Sequence, residues 1–229
     1  MLRYLLVGDG DFKGFLLQFL LSLPIIFLML SLNGAAQGYI ANKLGDPTAK
    51  NLGKLTLNPL VHIDPLGLIA MVVVGCGWVS PVPINSRNFK KPRRDMLLVG
   101  ISGPVANLLL AFIFAILLRL SIVFMPEVVF RNEMSMELSS ILNTFLYLGV
   151  RMNITFAIFN LLPIPPLAGS RIFAMLIPPT YYFKIMRYER YISIAVLVLL
   201  IFGVLDPILT FLTGKIEYLI YYVVFFIRI

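Results

Sequence analysis

Few residues of this sequence have side chains that commonly bind metal ions or attack substrates. There is one histidine, His62, and one cysteine, Cys76, among the 229 residues. A protein metal site usually needs several imidazole, thiolate or carboxylate ligands, so these counts argue against a His/Cys metal site. A single cysteine excludes an intrachain disulfide. Without a neighbouring base, Cys76 is expected to be a small packed apolar residue rather than a nucleophile.

The aspartates that stand closest to recognisable motifs also have a structural interpretation. Asp46 and Asp64 each precede a proline in a polar stretch, which is typical of turn and capping residues. Asp206 precedes Pro207, far along the chain from either of them. His62 is expected to hydrogen-bond the backbone of its loop. The residue types therefore offer no alternative catalytic set.

The elements that must position these residues belong to a membrane protein. Apolar residues make up 59% of the chain and charged residues 13%, whereas a soluble domain has about 25% charged residues. The net charge of +8 comes from short loops between apolar runs, which indicates the positive-inside rule rather than binding of nucleic acid. We predict an all-α polytopic membrane protein in a single domain, residues 1–229, with about five to six transmembrane helices.

The apolar runs give the approximate positions of these helices. They cover residues 15–32, 96–125, 138–162, 191–212 and 216–227. A more polar helix, 33–44, continues the first run, which Pro24 is expected to kink, and Gly103-Pro104 is expected to interrupt the second. The apolar segment 66–79 is too short to span and contains glycines, so a short re-entrant or hairpin segment buried within protein is expected.

Lysines and arginines predict the orientation of these segments. Residues 87–94 and 171–190 are strongly basic and should be cytoplasmic, which places the 127–137 loop and the amino terminus outside. Lys43, Lys50 and Lys54 place residues 43–64 on the cytoplasmic side as well. Arg151 lies inside a predicted span, so it should face protein or a polar cavity, or reach the interface from near a helix end.

Several short motifs follow one another in a fixed order. They are Gly45-Asp46-Pro47-Thr48-Ala49-Lys50, Leu55-Thr56-Leu57-Asn58-Pro59, His62-Ile63-Asp64-Pro65, Gly77-Trp78 with Pro81-Val82-Pro83-Ile84-Asn85, Ser102-Gly103-Pro104-Val105-Ala106-Asn107, and Phe159-Asn160-Leu161-Leu162-Pro163-Ile164-Pro165-Pro166-Leu167. This ordered set resembles the compact prokaryotic branch of the site-2 protease family, peptidase family M50. The resemblance covers a core of residues 15–190 and leaves 191–229 as C-terminal helices.

The resemblance implies an intramembrane zinc metalloprotease, but this sequence departs from it at the reactive positions. In the family, H-E-x-x-H supplies two zinc ligands and a general base, and a later aspartate supplies the third ligand. The corresponding residues here are Asn33, Gly34, Gln37 and Ala168. Neutral amides are weak zinc ligands, glycine cannot accept a proton from water, and alanine offers no donor atom. No catalytic residue, metal ligand or bound cofactor is therefore expected, although zinc is the cofactor of active family members.

The resemblance also implies residues that would contact an unwound substrate. They are Trp78 and Asn85 in the loop after the short apolar segment, together with Asn107, Asn160 and Pro163. The competing interpretation is that these residues only hold the fold.

Two classes of function remain. The first is a pseudoprotease, an integral protein of a prokaryotic plasma membrane that binds or holds transmembrane segments of other proteins, with no nucleic-acid partner. The alternative is an active site-2-type zinc metalloprotease with unrecognised ligands. Two weaker hypotheses are a protease that was inactivated by engineering and a transporter. No repeated half of the sequence supports the transporter.

Overall fold

The regular structure of the chain is helical throughout the residues that the computed structural model describes, 12–74, 77–124, 133–173 and 179–226. In chain order the helices are α1 (Phe12–Lys43), α2 (Thr48–Asn51), α3 (Pro65–Val74), α4 (Pro92–Phe124), α5 (Glu133–Asn160), α6 (Gly169–Phe173), α7 (Pro179–Met186), α8 (Glu189–Ile201) and α9 (Asp206–Phe226), with 3-10 turns at Pro59–Val61 and Ser86–Asn88. Cys76 and part of the predicted 127–137 loop lie outside the described residues.

Four of these helices are long and apolar enough to cross a membrane: α1, α4, α5 and α9. They confirm the all-α polytopic class. The predicted span 191–212 is divided, because α8 ends at Ile201 and α9 begins at Asp206. Gly203 stands between them with a φ of 71°, a left-handed conformation that favours glycine. Because of this turn, the described residues contain four helices that are long enough to span a membrane, fewer than the five to six expected.

Prolines inside the first two long helices do not end them. Pro24 lies within α1 and Pro104 lies within α4, so the predicted interruption at Gly103-Pro104 is wrong. Each proline removes one intrahelical N–H donor. The loss is tolerated because α4 packs along both α1 and α5, which hold it in place.

The short apolar segment forms the expected hairpin beside the long helices. Helix α3 lies in one arm of the hairpin. Ile63, before this helix, pairs with Val79, after it, as an antiparallel bridge. The Ser80 N–H donates to the His62 carbonyl at 2.8 Å. A Cβ on Gly67 would lie 2.1 Å from the Trp78 carbonyl oxygen, so only glycine lets the two arms approach this closely.

Helix α9 packs on α4 and α5 through a seam that contains polar groups. The hydroxyls of Thr155 and Thr213 lie 3.1 Å apart across this seam. Arg151 lines a cavity of about 160 Å³ with both threonines, and its Nη1 donates to the Tyr147 hydroxyl at 3.4 Å. Of the environments expected for Arg151, the structure therefore shows the polar cavity.

Candidate functional site: an amide network at the family's ligand positions

The two amides at the histidine positions lie on one face of α1 and are buried. Gln37 Nε2 donates to Asn33 Oδ1 at 2.7 Å. Asn33 Nδ2 in turn donates to Asn107 Oδ1 on α4 at 3.2 Å. The ligand positions are therefore bonded to each other and to the adjacent helix.

The chain of donors continues from α4 into α5. Asn107 Nδ2 donates to Asn153 Oδ1 at 3.3 Å and to the Met29 carbonyl at 3.4 Å. Asn153 Nδ2 then donates to the Gly149 carbonyl at 2.8 Å, one turn back along α5. Asn33, Asn107 and Asn153 each accept through the side-chain oxygen and donate through the side-chain nitrogen, an arrangement in which neighbouring bonds polarise and strengthen one another.

Arg171 begins this series from the other side of the site. Its Nη1 donates to Gln37 Oε1 at 2.8 Å, and its Nη2 donates to the Val82 carbonyl at 2.6 Å. The guanidinium therefore joins α6 to α1 and to the loop after the hairpin. We call the connected side chains of Arg171, Gln37, Asn33, Asn107 and Asn153 the amide network.

A glycine on α4 makes room for the amide network. A Cβ on Gly103 would lie 2.7 Å from Asn33 Oδ1 and 2.8 Å from Gln37 Nε2. Such distances are far inside normal contact, so α1 and α4 approach this closely only because position 103 has no side chain. The Gly-Pro motif of the sequence thus has a packing role at the site.

His62 fills the space beside the family's general-base position. A Cβ built on Gly34 would lie 2.1 Å from His62 Nδ1. The imidazole is fully buried, with Nε2 2.9 Å from the Thr56 carbonyl oxygen. Its Nδ1 has no hydrogen-bond partner among the described residues. Burial lowers the pKa of His62, the Thr56 bond partly opposes this, and the charge of Lys54 lowers it further.

The motif aspartates are turn and capping residues, as expected from the sequence. Asp64 Oδ1 accepts a bond from the Gly67 N–H at 2.9 Å, at the start of α3. Asp46 accepts bonds from Thr48, from the Asn85 N–H and from Asn88 Nδ2. Burial raises the pKa of Asp46, but these hydrogen bonds outweigh it and leave the pKa below its ordinary value. Asp46 thereby ties the loop after α1 to the loop before α4.

The residues at the ligand positions do not fit zinc. The oxygens of Asn33 and Gln37 already accept bonds within the amide network, and Ala168 contributes only a buried methyl group. Zinc sites use thiolate, imidazole or carboxylate donors. Among the described residues, no group of three or more His, Cys, Asp or Glu side chains could hold a metal ion.

The predicted substrate-contact residues occupy different environments. Trp78 and Asn160 are buried, and Asn160 Nδ2 donates to the Phe156 carbonyl at 2.9 Å within its own helix. Asn107 is buried in the amide network. Pro163 and Asn85 are exposed, and the Asn85 side chain accepts from the Arg87 N–H at 3.2 Å. Of these five residues, only Asn107 is hydrogen-bonded to a residue at a ligand position.

Asn153 and Arg171 are members of the network that sequence reasoning missed. Asn153 is a polar residue in an apolar span, which is a general sign of a functional or packing role in membrane helices. Arg171 follows Ala168 by three residues, so a short helix there brings it to the same side of the site. Either signal could have found them, although the basic region 171–190 by itself predicts only an orientation.

Comparison with known proteins identifies the family. The sequence profile of peptidase family M50 matches residues 12–204. The chain is 43% identical to the candidate zinc metalloprotease YwhC of Bacillus subtilis, over 77% of this chain and 78% of that protein. It is 26% identical to a candidate zinc metalloprotease of Methanocaldococcus jannaschii, over 68% of this chain and 76% of that one. No solved structure matches. The chain therefore belongs to peptidase family M50, the site-2 protease family.

Proposed function

We propose that the chain is a pseudoprotease of the M50 family, which binds or holds membrane-spanning partners without cleaving them. The observation that carries this proposal is the amide network at the family's ligand positions. Its bonds run without a break from the Arg171 guanidinium to the Gly149 carbonyl. A site built this way is stable without a metal ion, because its buried polar groups already have partners.

In this proposal, the site also lacks the groups that hydrolysis requires. Hydrolysis by this family needs a water activated on zinc and a carboxylate that accepts its proton. Gly34 has no side chain, and the space beside it contains the His62 ring. Residues 33, 34, 37 and 168 would all have to change to recover the family's set.

The surrounding fold supports a binding role. The hairpin, closed by the bridge between Ile63 and Val79, leads into the loop that Arg171 holds through the Val82 carbonyl, beside the amide network. The four long apolar helices support a membrane location for this surface, and the bacterial relative favours a prokaryotic plasma membrane. Transmembrane segments of other proteins are therefore the partners that the proposal names.

One observation favours the alternative of an active zinc metalloprotease with unrecognised ligands. His62 Nδ1 is buried, lacks a hydrogen-bond partner among the described residues, and points at position 34. A neutral imidazole nitrogen could bind a metal ion or accept a proton. It is a single donor, however, and the described part of the chain supplies no acidic, thiol or imidazole cluster around it.

A cleavage assay separates the two functions. The purified protein would be reconstituted with a fluorescent single-span peptide, with and without added zinc and a zinc chelator. We expect the peptide to remain intact under every condition. Chelator-sensitive cleavage would contradict the proposal, and its loss in a His62→Gln variant would then identify His62 as part of an active site.

A further inference from the structure

A cavity of about 710 Å³ lies beside the amide network, where the turn after α5 meets the hairpin and the start of α8. The start of α3, the loop after the hairpin, the turn after α5 and the start of α8 each contribute to its lining. Asp64, Pro81, Pro166 and Arg190 represent these four elements. Its volume is in the range of pockets that bind ligands, roughly 300–1,000 Å³. We call it the charged cavity.

Two arginines at the charged cavity are available to a ligand. Arg187 and Arg190 both line it and are exposed. Neither side chain makes a hydrogen bond or an ion pair within the described part of the chain. The basic region 171–190 that contains them is predicted to be cytoplasmic. The cavity thus presents two guanidinium groups without ion-pair partners among the described residues, on the side of the protein that is predicted to be cytoplasmic.

The acidic groups of the charged cavity are already in use. Asp64 accepts a bond from the Gly67 N–H and caps α3. Glu189 is half-buried, and the guanidinium of Arg171 acts on its carboxylate. Burial raises the pKa of Glu189, Arg171 lowers it, and the charge of Asp64 raises it again. Asp64 and Glu189 thus each face a donor or a cation of the protein, and Arg187 and Arg190 are the charged groups left to bind a ligand.

The walls of the charged cavity favour an extended and partly apolar ligand. Pro65, Pro81 and Pro166 line it together with Leu66 and Ile194. Prolines present apolar rings and have no backbone N–H to donate. A phospholipid headgroup fits less well, because a phosphate group does not complement the apolar walls that the prolines, Leu66 and Ile194 give the cavity. Carboxylates on a flexible peptide can stay beside the arginines while apolar side chains enter the cavity.

We propose that the charged cavity binds the extended, acidic juxtamembrane segment of a membrane-spanning partner, through Arg187 and Arg190. The proposal rests on the pseudoprotease function and specifies the chemistry of its partner. The segment would lie on the cytoplasmic side, next to the partner's transmembrane helix. It would contact the turn after α5 at Pro166 without entering the amide network.

Binding of designed peptides tests this site. The probe is a synthetic single-span peptide whose labelled cytoplasmic tail carries two glutamates after short apolar residues, and a matched peptide carries two lysines instead. Both would be titrated against the full chain in phosphatidylcholine vesicles, which contain no anionic lipid. We expect the acidic peptide to bind wild-type protein about tenfold more tightly than the basic peptide, because opposite charges face each other.

Charge reversal provides the matched variants. Arg187→Glu/Arg190→Glu should weaken binding of the acidic peptide about tenfold and improve binding of the basic one. Lys90→Glu/Arg93→Glu makes the same change of net charge at exposed residues away from the cavity, and it should alter both affinities less than about twofold. Thermal unfolding would verify that both variants fold. Equal binding of the two peptides, or equal effects of the two variants, would overturn the proposal.

Cross-linking places the bound peptide. A cysteine at Ile194, which lines the charged cavity and is half-exposed, should cross-link to the acidic tail. A cysteine at Ile208, exposed on α9, should not. The reverse pattern would overturn the proposed site. If the affinity for the acidic peptide changed when anionic lipid was added to the vesicles, that result would also overturn the proposal and would identify a lipid-headgroup site instead.

The same titrations separate this proposal from the pseudoprotease function. A peptide that binds with the expected charge preference and is cleaved would contradict the pseudoprotease while supporting the site. A peptide that stays intact but shows no charge preference would overturn the site and leave the pseudoprotease standing.

Discussion

The amide network and the charged cavity are neighbours, but they differ in what their polar groups contact. In the network, the amides of Asn33, Gln37 and Asn107 are buried and bonded to one another. In the cavity, Arg187 and Arg190 are exposed and have no partner within the described residues. Buried groups that satisfy each other hold a structure together, whereas free charges in a cavity can recognise a ligand. The comparison separates buried amides that stabilise the fold from the cavity where we propose that recognition occurs.

Removal of the central amide should have the largest effect on stability. Asn107→Ala leaves the Asn33 amide and the Asn153 carbonyl without partners in a buried site. We expect it to lower the free energy of unfolding by about 2–3 kcal/mol, measured in mixed micelles. Asn51→Ala, at an exposed position, should change it by less than about 0.5 kcal/mol. An equal, small effect of both variants would show that the network does not stabilise the protein.

A methyl group beside the histidine should have a smaller effect. Gly34→Ala places a Cβ against His62 and should destabilise the protein by about 1–2 kcal/mol, since the packed ring must shift. Gly214→Ala on α9 meets no atom within 4 Å and should stabilise its helix by up to about 1 kcal/mol. Unfolding of both variants in the same micelles measures the difference. If Gly34→Ala were as stable as wild type, the space beside position 34 would be larger than the structure shows.

The sequence predicted the class of fold from composition, and the motifs aligned four residues with the family's reactive positions. They did not predict which contacts those residues make. That outcome depends on contacts between distant segments, such as Asn33 with Asn107 and Arg171 with Gln37. Amide and guanidinium groups can bond in many directions, so their partners cannot be read from spacing along the chain.

The C-terminal helices show a second kind of limit. The apolar residues 191–212 form a continuous run in the sequence, and hydropathy alone predicts one span. Gly203 in a left-handed conformation turns the chain inside that run. Gly203 after α8 and Asp206-Pro207 at the start of α9 are local signals for a helix end and a helix start, which a hydropathy average does not register.

Lowering the pH should produce the smallest loss of stability, through protonation of His62. Because burial holds the pKa of His62 below its ordinary value of 6.5, the unfolded chain binds a proton at a higher pH than the folded chain does. The stability that His62 contributes is complete above about pH 6.5 and decreases as the pH falls towards the folded pKa. Unfolding measured between pH 8 and 5 should show this decrease in wild type and a flatter profile in His62→Gln. Parallel profiles would contradict the buried, neutral imidazole.

The stoichiometry of bound zinc tests the central claim most directly. Zinc would be added to the purified protein, the excess removed, and bound metal measured beside an Asn33→His/Gln37→His/Ala168→Asp variant that restores the family's three ligands. We predict no stoichiometric zinc in wild type and about one equivalent in the variant, as in a three-ligand catalytic site. One equivalent of zinc in wild type would contradict the account and would make His62 the first residue to test as a zinc ligand.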